Sequence, residues 1–234
     1  MNENNFKEYY YKFLNFNEKE RIICSNNRCK SINNFYYPVI ISKFQDGIMY
    51  SIAPDYFEKL KEIIIEEKDI KYYLFEFFQK HKMYFSIQDM YRMFKNNNSN
   101  IDISNVIELD NKYKEQYFNS FEHSNDIIYK QEKWKKILKY QYLNGIIEDN
   151  KFVSVGFVSN IDENGANIVI QTKDKYRNRG YGKAIVEKIS RDLLEDNIIP
   201  IYWVNKENKA SIQLAESIGF KKEAGEIVVK LITE

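Results

Sequence analysis

The chain has 234 residues, and its 35 lysines and arginines nearly balance 34 aspartates and glutamates, leaving a net charge of +1. This balance argues against the broad basic surface that nucleic-acid-binding domains carry. No run approaches the roughly 20 apolar residues that cross a bilayer, and the first residues lack the apolar core of a secretory signal. We therefore expect a soluble, cytoplasmic protein with neither nucleic-acid nor membrane partners.

Cysteine and histidine are too sparse for a disulfide framework or a metal site. Cys24 and Cys29 are the only cysteines, and His81 and His123 are distant from them in the sequence. A lone Cys-x4-Cys pair is not a disulfide framework, and no histidine follows at zinc-ligand spacing. The sequence predicts two reduced, structurally incidental thiols and no metal.

Residues 1–98 predict a smaller α+β domain. Its predicted elements are a helix within 1–23, strands over 36–42 and 47–52, a helix from Pro54, and a helix over 72–79. The Asp46-Gly47 pair supplies hairpin-turn chemistry between the two strands. Ser86 with Asp89 three residues on is close to a capping box, which predicts a further helix.

A polar tract at residues 95–100, Lys-Asn-Asn-Asn-Ser-Asn, is the best candidate for a linker. We place a domain boundary there, with an N-terminal domain over 1–98 and a C-terminal domain over 99–234.

The C-terminal domain is predicted to alternate strands and helices. The elements are a strand over 105–109, helices over 112–121 and 132–142, strands over 145–147, 152–158 and 167–172, a helix over 184–194, a strand over 198–204, a helix over 208–217 and a strand over 227–232. This order predicts an α/β fold with a largely antiparallel meander in the middle.

The most informative stretch is a basic loop with two glycines, Arg177-Asn178-Arg179-Gly180-Tyr181-Gly182-Lys183, which joins a predicted strand to a predicted helix. A helix start leaves backbone N–H groups unpaired and is partly positive. Glycine allows a bulky anion to approach the backbone closely. The loop therefore favours a phosphate site, although an ordinary basic turn that caps a helix has the same pattern.

Two common nucleotide motifs fail at this loop. The P-loop needs a glycine five residues before Gly182 and a serine or threonine after Lys183, but the chain has Arg177 and Ala184 there. The dinucleotide fingerprint needs a third glycine where the chain has Ile185.

The residues resemble a different family. Arg177 to Gly182 matches the Gln/Arg-x-x-Gly-x-Gly/Ala acetyl-CoA signature of the GNAT N-acetyltransferase superfamily. A second block, Trp203 to Ser211 followed by Ile218-Gly219-Phe220, is similar to the family's strand-to-helix segment with its Asn, Ala/Ser and Gly-Phe positions. The resemblance covers about residues 105–234. It is closest to bacterial members with an extra N-terminal domain, including antibiotic self-resistance enzymes.

The resemblance implies a GNAT-like α/β fold, in which a mixed, mostly antiparallel sheet is flanked by helices. It also implies acetyl-CoA as co-substrate, with its pyrophosphate on the loop and its pantetheine arm paired to the free backbone of the preceding strand. The implied cofactor-binding residues are Ile170, Gln171, Thr172, Arg177, Asn178, Arg179, Gly180, Tyr181, Gly182, Lys183, Asn208 and Ser211.

The catalytic residues stay unknown at this stage. Many members of the family carry a tyrosine seven residues after the asparagine, where this chain has Ala215, and a glutamate on the fourth strand, where residues 168–171 hold no acid. Asn208 either binds pantetheine or caps a helix, and Ser211 either touches the cofactor or packs the helix. Trp203 either lines the acceptor pocket or belongs to the core.

The leading hypothesis is an N-acetyltransferase that transfers acetyl from acetyl-CoA to a primary amine of a small molecule, by direct attack in a ternary complex. The alternatives are a non-catalytic acyl-CoA-binding sensor and a protein N-acetyltransferase. The N-terminal domain either covers the acceptor site or forms a homodimer through exposed tyrosines and phenylalanines. The acceptor and the length of the acyl group do not follow from the sequence.

Overall fold

The structure, a computed structural model, describes residues 4–16, 20–26, 35–45, 47–66, 69–121 and 126–232. The helices within these ranges are α1 (Asn4–Phe13), α2 (Pro54–Glu66), α3 (Ile70–Lys80), α4 (Lys114–Phe121), α5 (Ile127–Leu138), α6 (Tyr181–Glu195) and α7 (Lys209–Ser217). The strands are β1 (Ile22–Cys24), β2 (Phe35–Phe44), β3 (Gly47–Ile52), β4 (Phe85–Phe94), β5 (Ile107–Glu108), β6 (Asn144–Glu148), β7 (Lys151–Asp162), β8 (Gly165–Thr172), β9 (Ile199–Asn205) and β10 (Lys221–Ile232). None of the described helices is both long and apolar enough to cross a membrane.

The chain divides into two compact units, and neither unit is one continuous stretch of the sequence. The first unit comprises Met1–Arg92, Trp203–Asn208 and Lys222–Glu234, and the second comprises Met93–Tyr202 and Lys209–Lys221. Strands β4, β9 and β10 therefore contribute residues to both units. The predicted domain boundary at residue 98 stays a prediction.

The first unit is built on strands in the order β1-β3-β2-β10-β4. Strand β2 is antiparallel to both β3 and β10, and β1 runs parallel to β3. One face of these strands meets α2 and α3 in an apolar core of Val39, Ile41, Ile52, Leu60, Ile64, Leu74, Phe78, Ile227, Val229 and Leu231. The predicted β2–β3 hairpin is confirmed, although Asp46 of its turn lies outside the described residues.

The helix predicted from Ser86 is wrong, because this segment forms strand β4. Phe85 and Ile87 alternate with polar residues and pack against the apolar core of the first unit, as a half-buried strand requires. Asp89 does not cap a helix, since its carboxylate forms an ion pair with Lys71. The capping pattern is a local signal, and the packing of the apolar side chains overrides it here.

The second unit contains strands in the order β9-β8-β7-β6-β5, of which β5 to β8 form an antiparallel meander and β8 and β9 are parallel. This arrangement confirms the predicted mixed, mostly antiparallel sheet flanked by helices. The β6–β7 turn has two left-handed residues, Asp149 (φ 49°) and Asn150 (φ 57°), which suits a two-residue hairpin. Helix α6 lies close on β7, since a Cβ built on Gly156 would be 2.5 Å from Cγ2 of Ile185.

The tract predicted to be a linker is anchored on α6 by a buried charge network. The Glu187 carboxylate forms an ion pair with Lys95, and their side chains are 0% and 1% exposed. Ser99 donates to the same carboxylate from its backbone N–H (2.9 Å) and its hydroxyl (2.6 Å). Arg191 donates to Glu187 (2.9 Å) and to the carbonyl of Ser99 (2.7 Å). Every partner of the buried carboxylate is a donor, so its charge is compensated.

The few cysteines and histidines take part in no described metal site. Cys24 is a free, exposed thiol, while Cys29 and His123 lie outside the described residues. Among the residues that the structure describes, no group of three or more His, Cys, Asp or Glu side chains could hold a metal ion.

Substituting Glu187→Gln is expected to destabilise the protein by about 3–5 kcal/mol, because it leaves Lys95 charged and uncompensated in the interior. Urea denaturation measures this change. The matched control is Asp192→Asn on the same helix, where Lys188 keeps its second partner Glu108. That control should cost less than about 1 kcal/mol.

The effect of Glu187 also has a defined pH dependence. Burial raises the pKa of the Glu187 carboxyl, but hydrogen bonds from Lys95, Ser99 and Arg191 outweigh burial and hold that pKa below its usual value. The stabilisation is therefore complete above the unfolded pKa of about 4.3 and is lost as the pH falls through the folded pKa. Equal stability of the wild type and Glu187→Gln at neutral pH would contradict this account.

Candidate functional site

The loop between β8 and α6 turns sharply through two left-handed residues. A single 3-10 turn, Asp174–Tyr176, follows β8 and buries the Tyr176 ring. Asn178 (φ 63°) and Gly180 (φ 83°) then reverse the chain into α6. Glycine and asparagine are the residues that tolerate this backbone region best. Residues 177–180 are all exposed, so their backbone can reach a ligand from solvent.

Helix α6 starts without a capping side chain. Its N-cap is Gly180, whose carbonyl accepts the first helical bond, from the Ala184 N–H at 3.0 Å. The N–H groups of Tyr181, Gly182 and Lys183 precede that bond and have no partner within the helix. No acidic residue lies in the first turn. The start of this 15-residue helix is thus a positive, open set of donors, which favours an anion.

Each of the two arginines of the loop is held by a carboxylate. Arg177 contacts Asp174 at 2.8 Å, with both side chains largely in solvent. The Arg179 guanidinium lies 3.6 Å from Glu148 and 5.1 Å from the centre of the Tyr176 ring. Glu148 stands at the end of β6, about 30 positions before the loop in the sequence. No spacing rule links these positions, and sequence reasoning missed Glu148.

Gly182 is required by packing. A Cβ built on it would lie 2.8 Å from Cδ1 of Leu214, and within 3.6 Å of side-chain atoms of Thr172 and Ile170. The second glycine of the motif therefore lets α6 approach both β8 and α7 in the second unit. This steric role is independent of any ligand.

The part of β8 that precedes the loop extends beyond its pairing with β9. The parallel register between the two strands runs from Gly165–Ile199 to Asn167–Ile201 and ends there. Ile170, Gln171 and Thr172 continue to pair with β7 on the other side. The side-chain oxygen of Gln171 is buried without a hydrogen-bond partner among the described residues. The prediction that the free backbone of this segment binds pantetheine stays a prediction.

The predicted residues near α7 are engaged with other parts of the protein. Ser211 hydrogen-bonds the Tyr202 phenol, whose pKa is raised by burial and partly restored by that bond. Asn208 directly precedes α7, and its N–H donates to the Asn205 carbonyl at 2.9 Å. Ala215 is fully buried, and its methyl side chain offers no proton donor. The predicted cofactor roles of Ser211 and Asn208 stay predictions.

Trp203 belongs to the first unit and joins a buried ion pair there. Its indole N–H donates to Glu226 (2.7 Å), which also pairs with Arg92 at 2.8 Å and accepts from the Tyr10 hydroxyl at 2.6 Å. Burial disfavours the charged guanidinium, but attraction to Glu226 outweighs it and raises the pKa of Arg92 well above its usual value. These contacts give the half-buried Trp203 a structural role, and its predicted place in an acceptor pocket stays a prediction.

Comparison with known proteins agrees with this geometry. Residues 155–229, which contain the loop, match the family described as FR47-like protein. A search among curated proteins finds no match. Two solved structures described as GNAT-family acetyltransferases are similar to 64% of this chain. They come from Novosphingobium aromaticivorans (15% identity, TM-score 0.52) and Colwellia psychrerythraea (11% identity, TM-score 0.52).

The chain has the GNAT acetyltransferase fold. The match spans 66% of the Novosphingobium protein and 57% of the Colwellia protein, less than two thirds of either length. A Drosophila protein is similar over 90% of this chain and 83% of its own, with 14% identity and a TM-score of 0.53. A match of that extent reaches well into residues 1–98. The predicted GNAT-like fold is thus confirmed, and the likeness to the Drosophila protein extends beyond the region that the motifs cover.

Substituting Gly182→Ala is expected to destabilise the protein by about 1 kcal/mol, because overpacking against Leu214 exceeds the gain in helix propensity. In a Leu214→Ala background, the same substitution should be neutral or stabilising, since the contacting methyl group is gone. A double-mutant cycle in urea therefore predicts a coupling of at least about 1 kcal/mol. Strictly additive effects would show that the two helices do not meet at this glycine.

Proposed function

We propose that this GNAT-fold protein binds acetyl-CoA and transfers its acetyl group to a primary amine of a small molecule. The observation that carries the proposal is the uncapped start of α6, entered through left-handed Gly180 within a loop of the GNAT acetyl-CoA pattern. Neither feature alone is specific, but a glycine-rich signature that folds into an open helix start provides what a diphosphate requires.

The donors proposed for the diphosphate come from the backbone first. The N–H groups of Tyr181, Gly182 and Lys183 are aimed along the helix axis at the loop, where the dipole adds favourable potential. Arg177 and Arg179 flank this set, and guanidinium groups match phosphate oxygens well. The left-handed Asn178 and Gly180 keep the turn tight enough to leave the helix start open.

Bound acetyl-CoA would supply an acyl thioester for direct attack by the amine. The protein would then bind the two substrates, orient them and exclude water. Positioning of this kind accounts for much of the rate acceleration in such transfers. Ala215 offers no proton donor, and residues 168–171 offer no carboxylate base. We propose that the ammonium proton leaves through water, with the amine oriented by the surrounding protein.

The buried Ala215 also favours a second candidate function, a non-catalytic acyl-CoA-binding sensor. A sensor needs only the site that binds acyl-CoA. It needs no residue that protonates a departing thiolate. Both candidates predict CoA binding, so turnover separates them.

Calorimetric titration with CoA and acetyl-CoA tests the shared claim. We expect the wild type to bind both, and Arg179→Ala to bind about tenfold more weakly, the size of one charge-assisted hydrogen bond lost at a half-exposed site. The matched control, Lys221→Ala, removes an exposed charge outside the loop and should bind like the wild type. A wild-type protein that binds neither ligand would refute the proposed function.

Release of free CoA thiol from acetyl-CoA, measured across a panel of small amines, distinguishes the two candidates. Amine-dependent release supports the acetyltransferase. Tight binding without release for any amine of the panel supports the sensor.

A further inference from the structure

Among the described residues of the second unit, Glu148 is the one acidic side chain that contacts both the loop and the first residue of α6. The Tyr181 hydroxyl donates to one oxygen of its carboxylate. The Arg179 guanidinium approaches the other oxygen at 3.6 Å. One carboxylate thus links the side chain of the first residue of α6 to the second arginine of the loop.

The hairpin between β6 and β7 fixes the position of Glu148. It is the last residue of β6 and pairs with Lys151 across a turn of two left-handed residues, Asp149 and Asn150. Such short turns set the strand register tightly. With its side chain only 32% exposed, Glu148 is anchored on rigid structure rather than on the loop that it holds.

Arg179 is consequently held in one place from two sides. Its guanidinium lies against the Tyr176 ring, which is itself buried, and against Glu148. A free arginine loses considerable side-chain freedom when it binds a phosphate. Contacts that already restrict Arg179 reduce that loss, which is how a preorganised site gains affinity.

A negative charge beside an anion site also has an opposing effect. The Glu148 carboxylate repels a phosphate through its charge, while it orders Tyr181 by accepting a hydrogen bond and Arg179 by ionic attraction at 3.6 Å. The two effects have opposite signs. A glutamine at this position keeps one acceptor oxygen for Tyr181 but removes the charge that attracts Arg179, so it separates the two contacts of Glu148.

We propose that Glu148 is a positioning residue for the diphosphate of the bound donor: its oxygens hold Tyr181 and Arg179 at the positive start of α6. This inference rests on the proposed function and extends it to a residue outside the glycine signature. Tyr181 is held by a hydrogen bond to the carboxylate, and Arg179 is held by the charge of the carboxylate.

Calorimetric titration with CoA of the full-length wild type, Glu148→Ala and Glu148→Gln tests the proposal. The alanine variant should bind about tenfold more weakly, the equivalent of one lost charge-assisted hydrogen bond. The glutamine variant should bind with an affinity between those of the wild type and the alanine variant, because its amide oxygen still accepts from Tyr181 while its NH2 group no longer attracts Arg179. Thermal denaturation should give similar midpoints for all three proteins.

The matched control is Asp174→Ala. This substitution also removes a carboxylate from an arginine of the loop, but that side chain is 88% exposed. Its CoA affinity should stay within about twofold of the wild type, since exposed pairs contribute little. Competition by inorganic pyrophosphate against CoA should reproduce the ranking of the two Glu148 variants, because the effect acts on the diphosphate.

Three results would overturn the role of Glu148 while leaving the proposed function intact, provided that the wild type binds CoA. The first is an alanine variant with unchanged affinity. The second is a glutamine variant as weak as the alanine variant, which would mean that the hydrogen bond to Tyr181 contributes nothing to the affinity. The third is a ranking seen with CoA but absent with pyrophosphate. A wild type without CoA affinity would refute the proposed function and this inference with it.

Discussion

The open start of α6 is the feature on which the rest of the account depends. A helix always begins with unpaired N–H groups, and most helices satisfy some of them with a capping side chain. Gly180 provides none, and its left-handed backbone brings the chain in without covering the donors. The protein therefore presents a positive, solvent-facing set of donors, which the proposed diphosphate would complete.

The surrounding structure of the second unit keeps this helix start in a fixed place. Gly156 lets α6 lie close on β7, and Gly182 lets it lie close on β8 and α7. One helical turn beyond its first residues, Glu187 ties α6 to Lys95 through a fully buried ion pair. The polar tract that follows Lys95 is thereby fixed on the helix. A donor set at the end of a helix is only as well positioned as the helix itself.

Sequence patterns predicted those elements whose backbone conformation depends on residues close by in the chain. The β2–β3 hairpin and the loop before α6 follow from turn residues and glycines, whose backbone preferences act within a few residues. The β4 strand was mistaken for a helix because its capping pattern is local while its apolar packing is not. Lys95 and Glu187 are 92 residues apart, and no spacing rule predicts that they form an ion pair. Lys95 therefore read as part of a linker rather than as a buried residue.

In the candidate site, too, only the residues that are close together in the sequence were predicted. The glycines and arginines of the loop are contiguous, and a resemblance to a family identified them. No sequence pattern indicated Glu148, because it is the pairing of strands in the sheet that brings this residue to the loop. The polar contacts of Trp203 and Ser211 were equally hidden, since neither Glu226 nor Tyr202 stands at a distinctive spacing from its partner.

The central claim is that the backbone amides at the start of α6 bind the diphosphate of CoA, and amide NMR of the labelled protein tests it most directly. CoA should shift the amide resonances of Gly180 to Lys183 strongly, while pantetheine, which has the same arm without the diphosphate, should leave them nearly unchanged. Saturating CoA binding with no shift at these four amides, or an equal shift with pantetheine, would contradict the account.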